Sequence, residues 1–141
     1  MPYRQAGERD LARAPRVLGV RCQVRVSPSW AGEVADRSTA LAVELVNRGA
    51  QLIVVGGTAR WLRDGLRWPR DLDVVVPLRQ VPQLVPALAQ IGVHISEATL
   101  LRGRDVALTS PWGLLDVFVG DRLPPAGPIH VGGCRLVVAN D

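Results

Sequence analysis

The chain has 141 residues, of which 48% are apolar and 21% charged, the balance of one globular domain with a modest core rather than of a disordered chain. All 17 of its basic residues are arginine, and the lack of lysine excludes a Walker A lysine, a kinase β3 lysine, a Schiff base and a lysyl-adenylate. Six arginines (Arg4, Arg9, Arg13, Arg16, Arg21, Arg25) fall in residues 1–30 against Glu8 and Asp10, so the formal net charge of +4 belongs to the N-terminal arm and residues 31–141 are neutral overall.

Residues 1–30 contain Pro2, Pro15 and Pro28 and show no sustained period, which predicts an irregular Arg-rich arm ahead of a single domain over residues 31–141. From Ala31 to Asn47 the apolar spacing suits a helix, closed by Arg48 and Gly49. Leu52 to Val55 reads as a short buried strand, Thr58 to Asp64 as a helix ended by Gly65, and Leu72 to Val76 as a second strand stopped by Pro77. Val81 to Ile91 reads as a helix that Pro86 is expected to kink or break. Val93 to Ile95, Thr99 to Leu101, Asp105 to Leu108 and Leu114 to Val119 read as strands, with Arg102-Gly103-Arg104 as a hairpin turn and Pro111-Trp112-Gly113 leading into the last. The stretch Pro124 to Pro128 reads as a loop, and Ile129 to Val131 with Cys134 to Val138 as a terminal hairpin around Gly132-Gly133. The fold class is α/β (α+β).

Two segments carry chemistry. In a strand, residues two apart share a face, so Asp71 and Asp73 present both carboxylates together while Leu72 points away. Carboxylates that close repel unless a proton or cation sits between them, and Mg²⁺ favours carboxylates combined with substrate phosphate. Ahead of them, Gly56 and Gly57 close an apolar strand and Thr58 opens a helix, a geometry in which phosphate oxygens approach backbone N–H groups at a helix N-terminus. Thirteen residues, Thr58 to Arg70, separate the two segments. Either segment alone also fits a plain turn or a solvated strand end; the pair in this order points to a metal-nucleotide site. Asp116 interrupts another apolar strand, where an unpaired carboxylate is costly. Cys22, Cys134, His94 and His130 lack zinc-ligand spacing.

The stretch VVGGTARWLRDGLRWPRDLDVVV, residues 54–76, resembles the signature of the DNA polymerase β-like nucleotidyltransferase superfamily: Gly-Gly or Gly-Ser, a short helix, then Asp-x-Asp. The likeness is to its small stand-alone members, minimal or abortive-infection toxin-like, and runs from about Leu45 to Val138. It implies a nucleotidyltransferase fold, a mixed and mostly antiparallel sheet with helices on one face, and a third carboxylate supplied by Asp116 in LTSPWGLLDVFVG. It also implies an enzyme that moves a nucleoside monophosphate from a triphosphate such as ATP to a hydroxyl. In that reading two Mg²⁺ ions, or Mn²⁺, are held by Asp71, Asp73 and Asp116, and the triphosphate by Gly56, Gly57, Thr58 and Arg60, with Arg63 and Arg67 nearby. Trp61, Trp68 and Trp112 lie near these segments, as core or as base-stacking surfaces. The expected acceptor is RNA, tRNA or a partner protein, in the cytoplasm and away from membranes. Alternative readings are a catalytically weak nucleotide-binding module, such as the antitoxin-type half of a toxin–antitoxin pair, and an antibiotic adenylyltransferase. The chain is expected to lack the helical extension that similar proteins carry after the catalytic core.

Overall fold

The computed structural model describes residues 30–65 and 69–140. The arm, apart from Trp30, lies outside these residues, as do Arg67 and Trp68. Alternating buried and half-buried positions build the centre: Leu72, Val74 and Val76 are buried while Asp73 and Val75 are half-buried, the period of a strand with one covered face. The strands are β1 (Ile53–Val55), β2 (Leu72–Val76), β3 (Asp105–Ser110), β4 (Gly113–Val119), β5 (Ala126–Val131) and β6 (Cys134–Ala139), in spatial order β3-β4-β2-β1-β6-β5. Three pairings are antiparallel (β1–β2, β3–β4, β5–β6) and two parallel (β1–β6, β2–β4), a mixed and mostly antiparallel sheet as expected.

The helices are α1 (Trp30–Asn47), α2 (Gly56–Asp64), α3 (Val81–Gln90) and α4 (Glu97–Gly103), with a 3₁₀ turn over Leu78–Gln80. Leu41 and Leu45 of α1, Trp61 and Leu62 of α2, Leu84 and Leu88 of α3 and Leu100 of α4 join Leu72, Val74, Leu115, Val117, Leu136 and Val138 of the strands in one apolar core. Helix α1 closes as its Arg48-Gly49 signal predicts. Gly49 takes φ 99°, its N–H bonds the Val46 carbonyl at 3.1 Å, and the Ala50 N–H bonds that of Leu45 at 3.0 Å, the paired bonds of a Schellman ending. Just past the last helical residue, Arg48 pairs with the fully buried Glu44 and donates to Gln90 Oε1 at 3.0 Å, tying α1 to the end of α3. No helix among the described residues is long and apolar enough to cross a membrane.

Three expectations need correction. Val93–Ile95 and Thr99–Leu101 are not strands: residues 93–96 are irregular and α4 follows. The Ser96 side chain accepts from the Thr99 N–H at 3.1 Å, an N-cap that outweighs the β-branched residues beside it, and Arg102-Gly103-Arg104 ends this helix, with Arg104 in the left-handed region at φ 63°. Helix α3 runs on through Pro86, because burial of Val81, Leu84, Ala87 and Leu88 offsets one missing hydrogen bond. Strand β5 starts at Ala126 and includes Pro128, tolerated because β5 is at the sheet edge and its missing donor need not serve a second neighbour.

Candidate metal centre

Register brings the acids together. Strand β2 runs parallel to β4 with Asp73 beside Asp116, and antiparallel to β1 with Asp73 opposite Val55, so the carboxylates of Asp73 and Asp116 share the half-buried face. Asp71 lies one residue before β2. One carboxylate oxygen from each of Asp71, Asp73 and Asp116 lies within 4.8 Å of the other two, the one group among the described residues with this geometry.

Crowding changes their acidity. Asp73 is pushed up to about 6, first by burial, then by the negative charges of Asp71 and Asp116, then by a hydrogen bond with the Asp116 carboxyl, and last by Asp105. Asp71 is raised by burial and by Asp116, and lowered in part by its own backbone and by Arg70. Negative charge is thus destabilised here unless a proton or a cation compensates it.

The glycine pair divides its work. Gly56 opens α2 at φ +66°, and a Cβ built on it falls 2.6 Å from Asp73 Oδ2. The absent side chain therefore makes room for the Asp73 carboxylate itself. A Cβ on Gly57 would meet Pro69 Cα at 3.4 Å, ordinary contact. Thr58 is fully buried and its hydroxyl donates to the Asp71 carbonyl oxygen at 2.9 Å, so the expected phosphate-binding hydroxyl is committed inside the fold. The first turn of α2 holds no acidic residue, leaving its N–H groups compatible with an anion. Arg60 is exposed on α2. Arg63 instead donates to the Asn140 carbonyl, away from the role considered for it beside a phosphate. Trp61 and Trp112 are buried, which assigns both to packing rather than base stacking.

Sequence reasoning missed one neighbour, Asp105. The β3–β4 hairpin pairs Ala107 with Asp116 and Asp105 with Phe118, which puts Asp105 on the face of Asp116, where its charge acts on Asp73. The signal was present in the two-residue turn Pro111-Trp112, which fixes that register.

The donor set fits a hard divalent cation: three carboxylates, no sulfur or imidazole, and a glycine cradle behind one of them. No protein-family model, curated protein or solved structure matches the chain.

Proposed function

We propose that this protein is a Mg²⁺-dependent nucleotidyltransferase that moves a nucleoside monophosphate from a nucleoside triphosphate to a hydroxyl of a macromolecular acceptor, RNA or a partner protein. The observation that carries the reading is the convergence of Asp71, Asp73 and Asp116 within 4.8 Å, with the Asp73 carboxylate against the glycine that opens α2. Asp71, Asp73 and Asp116 hold the metal in this reading. When bound, Mg²⁺ neutralises phosphate charge and lowers the pKa of a coordinated hydroxyl.

The chain's own groups supply the rest. Backbone N–H groups at the start of α2 donate to phosphate oxygens, and the exposed Arg60 adds a guanidinium. The acceptor oxygen attacks the α-phosphorus in line; a new P–O bond forms, the bond to pyrophosphate breaks, and Asp116 takes the hydroxyl proton. A macromolecular acceptor is favoured over an antibiotic because the six arginines of residues 1–30 offer sequence-independent contacts to the phosphates of RNA.

The test is pyrophosphate release with Mg²⁺ and each nucleoside triphosphate in turn, followed by separation of labelled RNA, protein and small molecules after incubation with cell extract. Release that disappears in Asp71→Asn supports the reading. Label confined to small molecules sinks the macromolecular acceptor, and nucleotide binding without release in any condition sinks the transferase in favour of a binding module.

A further inference from the structure

Asp71 is the acid that the sheet holds least directly. Asp73 and Asp116 stand side by side within the β2–β4 ladder, whereas Asp71 precedes β2 and falls outside every registered strand pair. Its backbone is reached from α2 instead. The Thr58 hydroxyl donates to the Asp71 carbonyl oxygen at 2.9 Å across thirteen positions of sequence. Thr58 is fully buried in the first turn of that helix, so the hydroxyl is packed where neither solvent nor an incoming phosphate meets it.

We infer that Thr58 is a positioning residue which, on the metal-dependent reading above, sets the place of the Asp71 carboxylate relative to Asp73 and Asp116 and thereby the affinity of the three for a divalent cation. A carbonyl in the bend that leads into a strand has several orientations open to it, and each moves the attached side chain. A buried donor on a helix selects one, as groups that orient metal ligands from behind do in general. The same bond couples the two halves of the site. Gly56 abuts Asp73, Thr58 holds Asp71, and both belong to the first turn of α2, so this turn and the acids keep a fixed relation.

The test is titration of the full chain with Mn²⁺ alone, followed by electron paramagnetic resonance without nucleotide, with circular dichroism melts run in parallel. Thr58→Val and Thr58→Ala remove the donor and are expected to weaken Mn²⁺ binding on the order of tenfold, while Thr58→Ser restores it. Pyrophosphate release by Thr58→Val should climb back toward the natural kcat as Mg²⁺ is raised. A folded Val or Ala variant that binds Mn²⁺ as the natural protein does overturns the inference, as does a Ser variant as weak as the Val one. A raised KM for nucleotide with unchanged Mn²⁺ affinity also overturns it, by returning the hydroxyl to the phosphate. Failure of the natural protein to bind Mn²⁺ removes the metal reading itself and this inference with it, an outcome distinct from loss of the Thr58 effect alone.

Discussion

Burial, together with the like charges of Asp71 and Asp116, pushes the Asp73 carboxyl up to about 6 from the ordinary aspartate value of 3.8. A folded-state pKa raised above the unfolded one stabilises the protein below the unfolded value, and that stability is lost as pH rises through the folded value. In the metal-free protein the loss falls between about pH 4 and about 6. Asp73→Asn carries no charge at any pH, so its Tm should exceed that of the natural protein at pH 7 and the gap should close toward pH 4, while pyrophosphate release is abolished. Thermal melts across that range with chelator present measure this, and an Asn variant less stable at pH 7 than at pH 4 relative to the natural protein contradicts it. The two glycines give a second contrast. Gly56→Ala places a methyl 2.6 Å from Asp73 Oδ2 at φ +66°, which costs about 1–3 kcal/mol in backbone strain alone and displaces the carboxylate proposed to hold the metal. Gly57→Ala meets only ordinary contact with Pro69 and should change stability by less than about 0.5 kcal/mol. Urea unfolding and Mn²⁺ titration of both variants check the order; equal effects would count against the glycine cradle.

At the scale of elements, the parts nearest the site were the most legible. Strand β2 runs over Leu72–Val76 as its β-branched run stopped by Pro77 predicts, and Gly65 ends α2 at φ 69°, because short-range pattern and backbone chemistry dictate both. Helix α4 was misread as strand because Thr99 and its apolar neighbours suit a strand, while the cap that decides the matter is one hydrogen bond to Ser96. Thr58 was legible as a hydroxyl next to glycines but not as a donor to Asp71, since that contact depends on where the chain returns thirteen residues later. The link between α1 and α3 was equally hidden. Arg48 covers the fully buried Glu44 and reaches Gln90, so Arg48→Ala strands a buried carboxylate and should destabilise by about 3 kcal/mol. Replacing both partners, Glu44→Leu with Arg48→Met, should recover most of that in denaturant unfolding, because the uncompensated charge leaves with its partner. A double variant as unstable as Arg48→Ala would place the cost in packing instead.

For the whole molecule, the sheet order β3-β4-β2-β1-β6-β5 was the least legible feature, because pairing β2 with β4 requires the chain to pass through α3, α4 and β3 before returning beside β2, and local sequence does not encode a parallel crossover of that length. Yet this pairing is what sets Asp116 against Asp73. The site therefore exists only in the assembled sheet, and a ligand that bridges the three acids acts on the global folding equilibrium. Without metal the carboxylates oppose the fold; on the proposed function, Mg²⁺ with nucleoside triphosphate would link β2, β4 and the start of α2. A ligand that binds only the folded state at a concentration of 100 times its Kd adds about 2.7 kcal/mol, which for a domain of this size raises Tm by roughly 10 °C. The natural protein should show that shift with Mg²⁺ and nucleotide together and a smaller one with either alone. Asp116→Ala should show little shift at the same concentrations, since it removes the ligand that β4 contributes. Differential scanning fluorimetry with Mg²⁺, nucleotide, both and neither measures all four states, and an equal shift in the Asp116→Ala variant would mean that nucleotide binds away from the three acids.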